Sequence, residues 1–395
     1  MCWHQRSRTA FKINRYRFAV DVLGCRERRL ADTEDEPQQK KKPRSMRKKE
    51  EKSNVTEDIT QTQKQKRGPA DKEDSTLEKK KKAKLAAMSK GKGVVSPEVE
   101  KVVEKFVKHA TESGIDALRA ESKEVLEFKP SPNTYQKFLE APQRNRFPEI
   151  QCLDETRVVI EQVEPNSNTY IHASKVKLDK ADRLYILTQG PKENTIEDFW
   201  RMIFQEQCAG VVMLCNYYED GMQKCDEYFP TESGAYKYYG KMFVNNKKVD
   251  HLDQHDIYTL EILPDGCSNS ILTRLAHCTT WPDKAVPSSG RMVLRLVKWM
   301  QALDSNAAIA IVSAAGVGRA GTYIAIDQVC NRLFKGLEVS VKDVGLEIRK
   351  QRAHAISNEL QYFFIYSTVL DYIRAKMPKY HNVVSKFYSE LSQAI

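Results

Sequence analysis

The sequence predicts one α/β domain over residues 96–385, preceded by a basic tail of residues 1–95. Segments with strand-like and helix-like patterns of apolar residues alternate from residue 97 onward, with no internal repeat. The formal net charge of +11 lies entirely in the tail, so the remaining residues are close to neutral. A length of 395 residues suits one large domain with such a tail.

The tail has the composition of a disordered segment. Residues 30–95 are rich in Lys, Glu, Gln, Ser and Thr and poor in large apolar side chains, so they bury too little surface to offset the entropy of ordering. Lysine clusters at 40–44 and 79–84 fit nuclear-import signals or contacts with an anionic partner, but a solvated, charged tail is the preferred interpretation, since lysine-rich runs are frequent in disordered segments. The arginine-rich, acid-free first twenty residues also weakly resemble a transit peptide.

Cysteine usage and hydropathy bear on the compartment. The nine cysteines are odd in number and form no Cys-x-x-Cys pair, and the chain starts with no apolar signal segment. Reduced thiols inside the cell are therefore predicted. No apolar run reaches the roughly 18 residues needed to cross a bilayer, so no membrane span is predicted. The predicted localisation is intracellular: cytoplasmic or, through the lysine clusters, nuclear.

Helix signals mark the start of the domain. Ser96 suits an N-cap, Pro97 the first helical position and Glu98 the first turn, and apolar residues follow at helical spacing. Runs rich in β-branched or apolar residues then predict strands at 157–160, 210–214, 257–262 and 308–312. Helical patterns lie near 194–205, 290–303 and 341–350.

The last predicted strand leads into a glycine-bearing loop and then into a helix-like run at 321–326. A strand, a tight loop and a helix N-terminus together make a cradle for an anion, because the loop N–H groups converge and the helix dipole adds positive potential. Arg319 adds a planar fork that can grip two oxygens. The predicted binding loop consists of Ser313, Ala314, Ala315, Gly316, Val317, Gly318 and Arg319.

This loop resembles the phosphate-binding loop of protein tyrosine phosphatases, whose pattern is His-Cys-x5-Arg-Ser/Thr-Gly. The resemblance implies that family's fold, which is a single domain with a highly twisted mixed sheet flanked by helices. It also implies a tyrosine-phosphorylated protein as partner, with no cofactor and no metal. Over about residues 97–375 it extends, in the family's order, through the segments 144–147, 185–191, 198–202, 224–230, 281–283 and 361–362.

The groups that serve the family's nucleophile are the ones that differ. Ser313 stands at the cysteine position, Val312 at the histidine position, Ala320 at the Ser/Thr position and Ser357 at the first water-positioning glutamine. A cysteine in such a cradle ionises because its pKa falls to about 3.5–7.5, whereas a serine hydroxyl stays protonated and needs an adjacent base. The resemblance therefore implies that Ser313 is inert and that phosphoryl transfer and hydrolysis are both compromised.

The groups that serve binding are kept. Arg319 and the loop glycines retain the cradle, and Phe147 keeps an aromatic face for a phosphotyrosine ring. Glu149 stands where the family has an aspartate that fixes the substrate backbone, and Gln361 matches a glutamine of the family's last motif. Two plainer interpretations stay open: Arg319 also fits a purely structural ion pair, and Phe147 also fits ordinary packing.

Around the cradle, the resemblance assigns supporting roles. Asp283 matches the general acid, although Lys284 follows it where the family has histidine. Glu219 matches the glutamate that orients the cradle arginine, and Lys224 and Trp281 belong to matching motifs. Asp283 equally fits a relic, because a general acid is useless without a nucleophile, and Trp281 fits a packing aromatic.

Three functional hypotheses follow. The preferred one is a pseudophosphatase that binds phosphotyrosine proteins as a trap or scaffold in signalling. The second is a phosphatase of low residual activity, in which Asp283 and a bound water act without a covalent intermediate while Arg319 stabilises the transition state. The third is an interaction scaffold that ignores phosphate and binds an anionic partner through its tail.

Overall fold

The structure is a computed structural model that describes residues 95–394 except 163, 164, 166 and 254. The predictions made for the tail fall on residues that lie almost entirely outside this part. The first described elements are helices α1 (Pro97–Glu112) and α2 (Ile115–Glu127). Ser96 caps α1 by accepting a hydrogen bond from the Val99 N–H at 3.4 Å, and Pro97 occupies the first turn, so the predicted helix start is confirmed.

The described chain forms a mixed sheet and a small hairpin. The hairpin consists of β5 (Tyr218–Glu219) and β6 (Met222–Gln223). The strands of the large sheet are, in chain order, β1 (Arg157–Val159), β2 (Tyr170–Val176), β3 (Tyr185–Gln189), β4 (Gly210–Met213), β7 (Tyr236–Tyr239), β8 (Met242–Leu252), β9 (His255–Pro264), β10 (Ile271–Cys278) and β11 (Ile309–Ser313).

The order across the large sheet is β1-β2-β3-β11-β4-β10-β9-β8-β7. Strands β3, β11, β4 and β10 are parallel to their neighbours within this central group, and the outer pairs are antiparallel. The central strand β11 is buried along its whole length and pairs with β3 on one side and β4 on the other. Because the carboxyl ends of these three parallel strands meet at one edge, the loops that follow them are brought together there.

Helices cover the sheet. The helix after β11, α6 (Gly318–Phe334), packs against α1, α5 (Arg291–Gln301), α7 (Val341–Gln351) and α8 (Glu359–Lys376). Helix α4 (Ile196–Gln205) packs against β8 and β9. This α/β arrangement, a mixed sheet flanked by helices, confirms the predicted fold class. The other two helices described after α2 are α3 (Gln136–Glu140) and α9 (His381–Ala394). Residue 385, where the sequence predicts the domain to end, lies inside α9.

Three features of the described residues bear on function. No helix among them is long and apolar enough to cross a membrane. No group of three or more His, Cys, Asp or Glu side chains within them is arranged to hold a metal ion. The cysteines in this part of the chain are free thiols. Cys267 is exposed, and the others are buried: Cys152, Cys208, Cys215, Cys225, Cys278 and Cys330.

Candidate functional site

The predicted cradle lies where β11 ends and α6 begins. Ser313 is the last residue of the strand and is buried, and the turn at 314–317 joins it to the first residue of the helix, Gly318. Gly316 has a φ of +68°, in the left-handed region that side chains with a Cβ rarely adopt. The sequence pattern of strand, tight loop and helix therefore forms the predicted local structure.

The carbonyl groups of the turn point away from the centre of the cradle because each has a hydrogen-bond donor outside it. Gly190 N–H donates to the Ala314 oxygen at 3.1 Å and Ile356 N–H to the Val317 oxygen at 3.2 Å. Arg352 donates from Nη2 to the Ala315 oxygen at 3.1 Å and from Nε to the Gly316 oxygen at 3.0 Å. The peptide planes are thereby fixed, which leaves the N–H groups of Ala315, Val317 and Gly318 on the inner side, whereas Gly316 N–H donates to the Ser313 oxygen at 3.0 Å.

Those inner N–H groups are free donors. In the described part of the chain, no acceptor receives a hydrogen bond from the N–H of Ala315, Val317 or Gly318. The last two lie at the N-terminus of the seventeen-residue helix α6, where the helix dipole favours an anion. Converging amides and a positive helix end give the loop the electrostatics of a phosphate site.

Two glycines let neighbouring segments approach this loop closely. A Cβ at Gly316 would lie 2.4 Å from the Thr188 carbonyl carbon on β3. A Cβ at Gly318 would lie 2.7 Å from the Ser357 hydroxyl oxygen and 3.0 Å from Gln361 Oε1. The positions of Ser357 and Gln361 therefore lie directly against the start of α6, as the sequence resemblance implies.

Arg319 is buried and held in one orientation. Its Nη1 donates to Glu219 Oε1 at 2.6 Å and its Nη2 to Glu219 Oε2 at 2.8 Å, a bidentate pair. Nη1 also donates to the Trp281 carbonyl oxygen at 3.0 Å. Burial alone would lower the pKa of the guanidinium, but the hydrogen bonds to Glu219 and the charge of Asp283 raise it above its usual value. The arginine is permanently charged and is oriented by the predicted glutamate.

The acid loop at 281–285 is folded over the arginine. Asp283 Oδ1 accepts from Arg319 Nη2 at 3.1 Å, and Asp283 Oδ2 pairs with Lys224 Nζ at 2.9 Å. Trp281 is buried with its ring edge-on to Phe364, and its indole N–H donates to the Ala285 oxygen. Beside this loop is a cleft of about 310 Å³, lined by Asn216, Tyr218, Glu219, Asp220, Thr279, Thr280, Trp281, Pro282 and Asp283.

The charge state of Asp283 follows from these contacts and predicts a pH dependence. Burial opposes ionisation, but the charges of Arg319 and Lys224 outweigh it and lower the pKa of this carboxyl. Its stabilising contribution is therefore complete above the unfolded pKa of about 3.9 and is lost as the pH falls through the lower folded value. We expect the stability advantage of the parent over Asp283→Asn to be constant from about pH 8 to pH 5 and to shrink below about pH 4.

Urea unfolding across this pH range measures the effect. The control is Asp220→Asn, which removes an exposed carboxylate from the same cleft and should show no such loss of advantage in acid. An advantage of the parent over Asp283→Asn that grows in acid would contradict the ion pairing.

The aromatic loop, residues 144–147 with Phe147 at its end, is anchored to the same sheet edge. Gln189, the last residue of β3, accepts from Arg146 N–H at 2.9 Å and donates to the Arg144 oxygen at 2.8 Å. Gly190 follows Gln189 directly and donates to the Ala314 oxygen of the cradle. The two hydrogen bonds of Gln189 therefore hold the half-buried Phe147, which follows Arg146, close to the cradle. Glu149 is exposed. The described contacts therefore bring the cradle with Arg319, the acid loop at 281–285 and the aromatic loop to one edge of the sheet.

Ser313 has no base beside it. Among the described residues, neither a histidine nor a carboxylate is hydrogen-bonded to its hydroxyl, and Val312 and Ala320 are buried apolar side chains. The nearby buried histidines are committed elsewhere, since His277 contacts the Cys215 oxygen and His172 contacts the Ile150 oxygen. Chemically, the arrangement can bind an oxyanion but lacks a group that could activate Ser313.

Sequence reasoning missed the residues that orient the turn from outside. Arg352, Ile356 and Gly190 supply the donors that fix its carbonyl groups, and Asn358 donates from Nδ2 to the Lys284 oxygen of the acid loop at 2.8 Å. Their residue types give no signal for this role, because each acts through a contact with a segment distant in the sequence.

Fold and site together define an α/β domain organised around a strand–loop–helix anion cradle. The family description "Protein-tyrosine phosphatase" matches residues 141–371, which is more than half of the chain. The chain therefore belongs to the protein-tyrosine phosphatase family.

Individual relatives are of both receptor and non-receptor kinds. The chain is 34% identical over 269 residues to tyrosine-protein phosphatase non-receptor type 2 of Rattus norvegicus, which covers 66% of this chain and 63% of that protein. It is 35% identical over 232 residues to receptor-type tyrosine-protein phosphatase epsilon of Mus musculus, and this match covers 57% of this chain and 33% of that protein. It is 34% identical over 236 residues to tyrosine-protein phosphatase Lar-like of Caenorhabditis elegans, and this match covers 59% of this chain and 11% of that protein. The match thus spans less than two thirds of each relative.

Proposed function

We propose that this domain binds tyrosine-phosphorylated proteins without hydrolysing them and acts as a trap or scaffold in signalling. One observation carries the proposal: Ser313 stands at the nucleophile position of a cradle whose inner N–H groups and buried Arg319 are arranged for an oxyanion. Membership of the phosphatase family makes a phosphotyrosine protein the expected ligand. An intracellular site of action, cytoplasmic or nuclear, is part of the same proposal.

The chemistry of a serine supports binding without turnover. A serine hydroxyl remains protonated at neutral pH, and no histidine or carboxylate among the described residues is bonded to Ser313 to remove its proton. Ser357 also lacks the amide with which the family's glutamine positions water. Without a nucleophile, Asp283 has no leaving group to protonate, and its lowered pKa keeps it ionised.

The same substitution favours binding. A thiolate in the cradle would repel the dianion of a phosphotyrosine, whereas a neutral hydroxyl does not. Ser313, the free amides of the loop and the Arg319 guanidinium would then contact the phosphate, and Phe147 would contact the ring. We therefore propose that the cradle holds phosphotyrosine at least as firmly as one that carries a thiolate.

Calorimetry on the full chain tests the binding. Phosphotyrosine peptides from a sequence-diverse library should bind, the same peptides without phosphate should not, and inorganic phosphate should compete. A folded protein that binds no member of the library would contradict the proposal.

Turnover is tested with Ser313→Cys. We expect the parent to hydrolyse phosphotyrosine peptides no faster than Arg319→Ala, and Ser313→Cys to gain measurable turnover. A quadruple variant that adds Val312→His, Ala320→Ser and Ser357→Gln should exceed Ser313→Cys by about 100-fold, because it restores the groups that activate the nucleophile and water. Melting curves establish that each variant is folded. Parent turnover well above that of Arg319→Ala would favour the alternative of a weak phosphatase.

The concentration of positive charge in residues 1–95 keeps a second proposal in view. In it, the protein is a scaffold that ignores phosphate and whose tail binds an anionic partner. Partner capture from cells separates the two proposals. Capture that survives Arg319→Ala but not deletion of residues 1–95 would favour the tail, and the reverse result would favour the cradle.

A further inference from the structure

Arg352 is a fully buried cation behind the loop. Besides its bonds to the Ala315 and Gly316 oxygens, its Nη1 donates to Ser174 Oγ at 3.2 Å and its Nη2 to His172 Nδ1 at 2.9 Å. It follows α7 directly in the chain, whereas its acceptors lie on β2 and in the cradle. The side chain therefore connects the back of the cradle to the sheet.

The acceptors around Arg352 are neutral. No carboxylate of the described residues pairs with it. Burial and the arginine itself lower the pKa of His172 to about 3, and burial raises the pKa values of the Cys152 thiol and the Tyr170 phenol. None of these neighbours carries a negative charge at neutral pH. A buried ion is costly unless an opposite charge compensates it, so the charge of Arg352 lacks a counterpart within its own surroundings.

The other ionic groups of the site compensate one another. Arg319 is paired with Glu219 and Asp283, and Lys224 is paired with Asp283. These two cations and two anions sum to zero charge. With Ser313 neutral, Arg352 supplies an uncompensated positive charge in direct contact with the cradle, because it donates to the Ala315 and Gly316 carbonyl oxygens. The Gly316 carbonyl shares its peptide group with the free Val317 N–H. Arg349 is also buried without a carboxylate partner among the described residues, but it donates to carbonyl oxygens of residues 126, 128, 355 and 356 and not to those of the loop.

We propose that Arg352 is the counter-charge for the bound phosphate and makes the site selective for doubly charged over singly charged esters. It is a positioning residue, because it acts on the ligand through the peptide groups of the loop and through its electric field. The inference rests on the proposed function, since it assumes that the cradle binds phosphotyrosine. A phosphate monoester carries about two negative charges at pH 7.5, and a sulfate ester carries about one. The Coulomb attraction between Arg352 and the ligand is therefore stronger for the phosphate ester than for the sulfate ester.

The test gives Arg352 a counter-charge inside the protein. Ser174→Asp places a carboxylate at the buried position that accepts from Arg352 Nη1, and Ser174→Asn is the matched neutral control of nearly the same size. Affinities of the full chain are measured by calorimetry for one peptide in phosphotyrosine and sulfotyrosine forms. Relative to Ser174→Asn, we expect Ser174→Asp to bind the sulfated peptide about tenfold more weakly and the phosphorylated peptide about a hundredfold more weakly, because Coulomb energy scales with ligand charge.

A second variant separates charge from scaffolding. Arg352→Lys keeps the charge but loses the fork that bonds two loop carbonyls, so it should weaken both peptides by a similar factor and leave their ratio unchanged. Circular dichroism establishes that each variant is folded. Equal losses for both peptides in Ser174→Asp, or a changed ratio in Arg352→Lys, would overturn the role of Arg352 as counter-charge. A parent that binds neither peptide would instead overturn the proposed function on which this inference rests.

Discussion

Arg319→Ala is expected to lower the affinity for a phosphotyrosine peptide by about a thousandfold. Charge-assisted hydrogen bonds to phosphate are worth about 1.5–3 kcal/mol each. Two of them, one from Arg319 Nε–H and one from the Nη2–H that bonds to Asp283 in the unliganded site, correspond to about this factor. Glu219 already holds the fork in one orientation, so little ordering entropy is lost when the ligand binds. Without the arginine, Glu219 and Asp283 would also leave two carboxylates facing the anion. Calorimetry with the parent and the variant measures the loss.

The same helix provides a matched control. Arg332 is also a buried arginine of α6, donates to Glu347 at 2.9 Å and lies about 20 Å further along the helix. Arg332→Ala should lower the stability of the fold while leaving peptide affinity unchanged. If both variants lost affinity equally, the effect of Arg319 would be one of folding, and if Arg319→Ala bound normally, the arginine would be only a structural partner of Glu219.

The cradle could be predicted from the sequence because its parts are neighbours in the chain. The run of β-branched residues, the glycines and the following helical pattern occupy residues 308–326, and local preference alone places them as strand, turn and helix. The predicted strands at 157–160, 210–214, 257–262 and 308–312 and the predicted helices at 194–205, 290–303 and 341–350 all occur, with ends shifted by a few residues.

Other strands of the sheet have weaker signals in the sequence. Strand β8 contains the polar run of residues 245–248, which has low strand preference, yet it forms because β9 pairs with it along most of its length. Strand β2 carries His172 and Ser174, polar residues at buried positions that serve Arg352. Such contacts between distant segments decide these elements, and no local pattern contains them.

The residues around Ser313 fit the packing of the strand and helix that carry them. Val312 is fully buried between Thr188 on β3 and Met213 on β4, where a β-branched side chain suits a central strand. Ala320 is fully buried in α6, where it leaves no hydroxyl to satisfy. A histidine or a serine at these positions would require polar partners inside the core. Val312 and Ala320 thus act as apolar supports of the cradle that leave no unsatisfied polar atoms of their own.

Gly316→Ala is expected to destabilise the domain by about 2–5 kcal/mol. At a φ of +68° an alanine costs about 1–2 kcal/mol in backbone strain, and its Cβ would lie 2.4 Å and 2.5 Å from the carbonyl carbon and oxygen of Thr188. These are backbone atoms of a central strand, which cannot move aside as a flexible side chain can, so overpacking adds about 1–3 kcal/mol. Urea unfolding measures the change, and the melting temperature should fall by about 10 °C.

Gly266→Ala separates the two causes. Gly266 has a φ of +76°, close to that of Gly316, but a Cβ built there meets no atom within 4 Å. This variant should therefore lose only the strain of about 1–2 kcal/mol and keep its peptide affinity. Equal losses for Gly316→Ala and Gly266→Ala would mean that the cradle can move away from β3. In that case the sheet would not hold the N–H groups of the cradle in place. The ligand would then have to order the loop when it binds, which would lower the affinity of the site for phosphate.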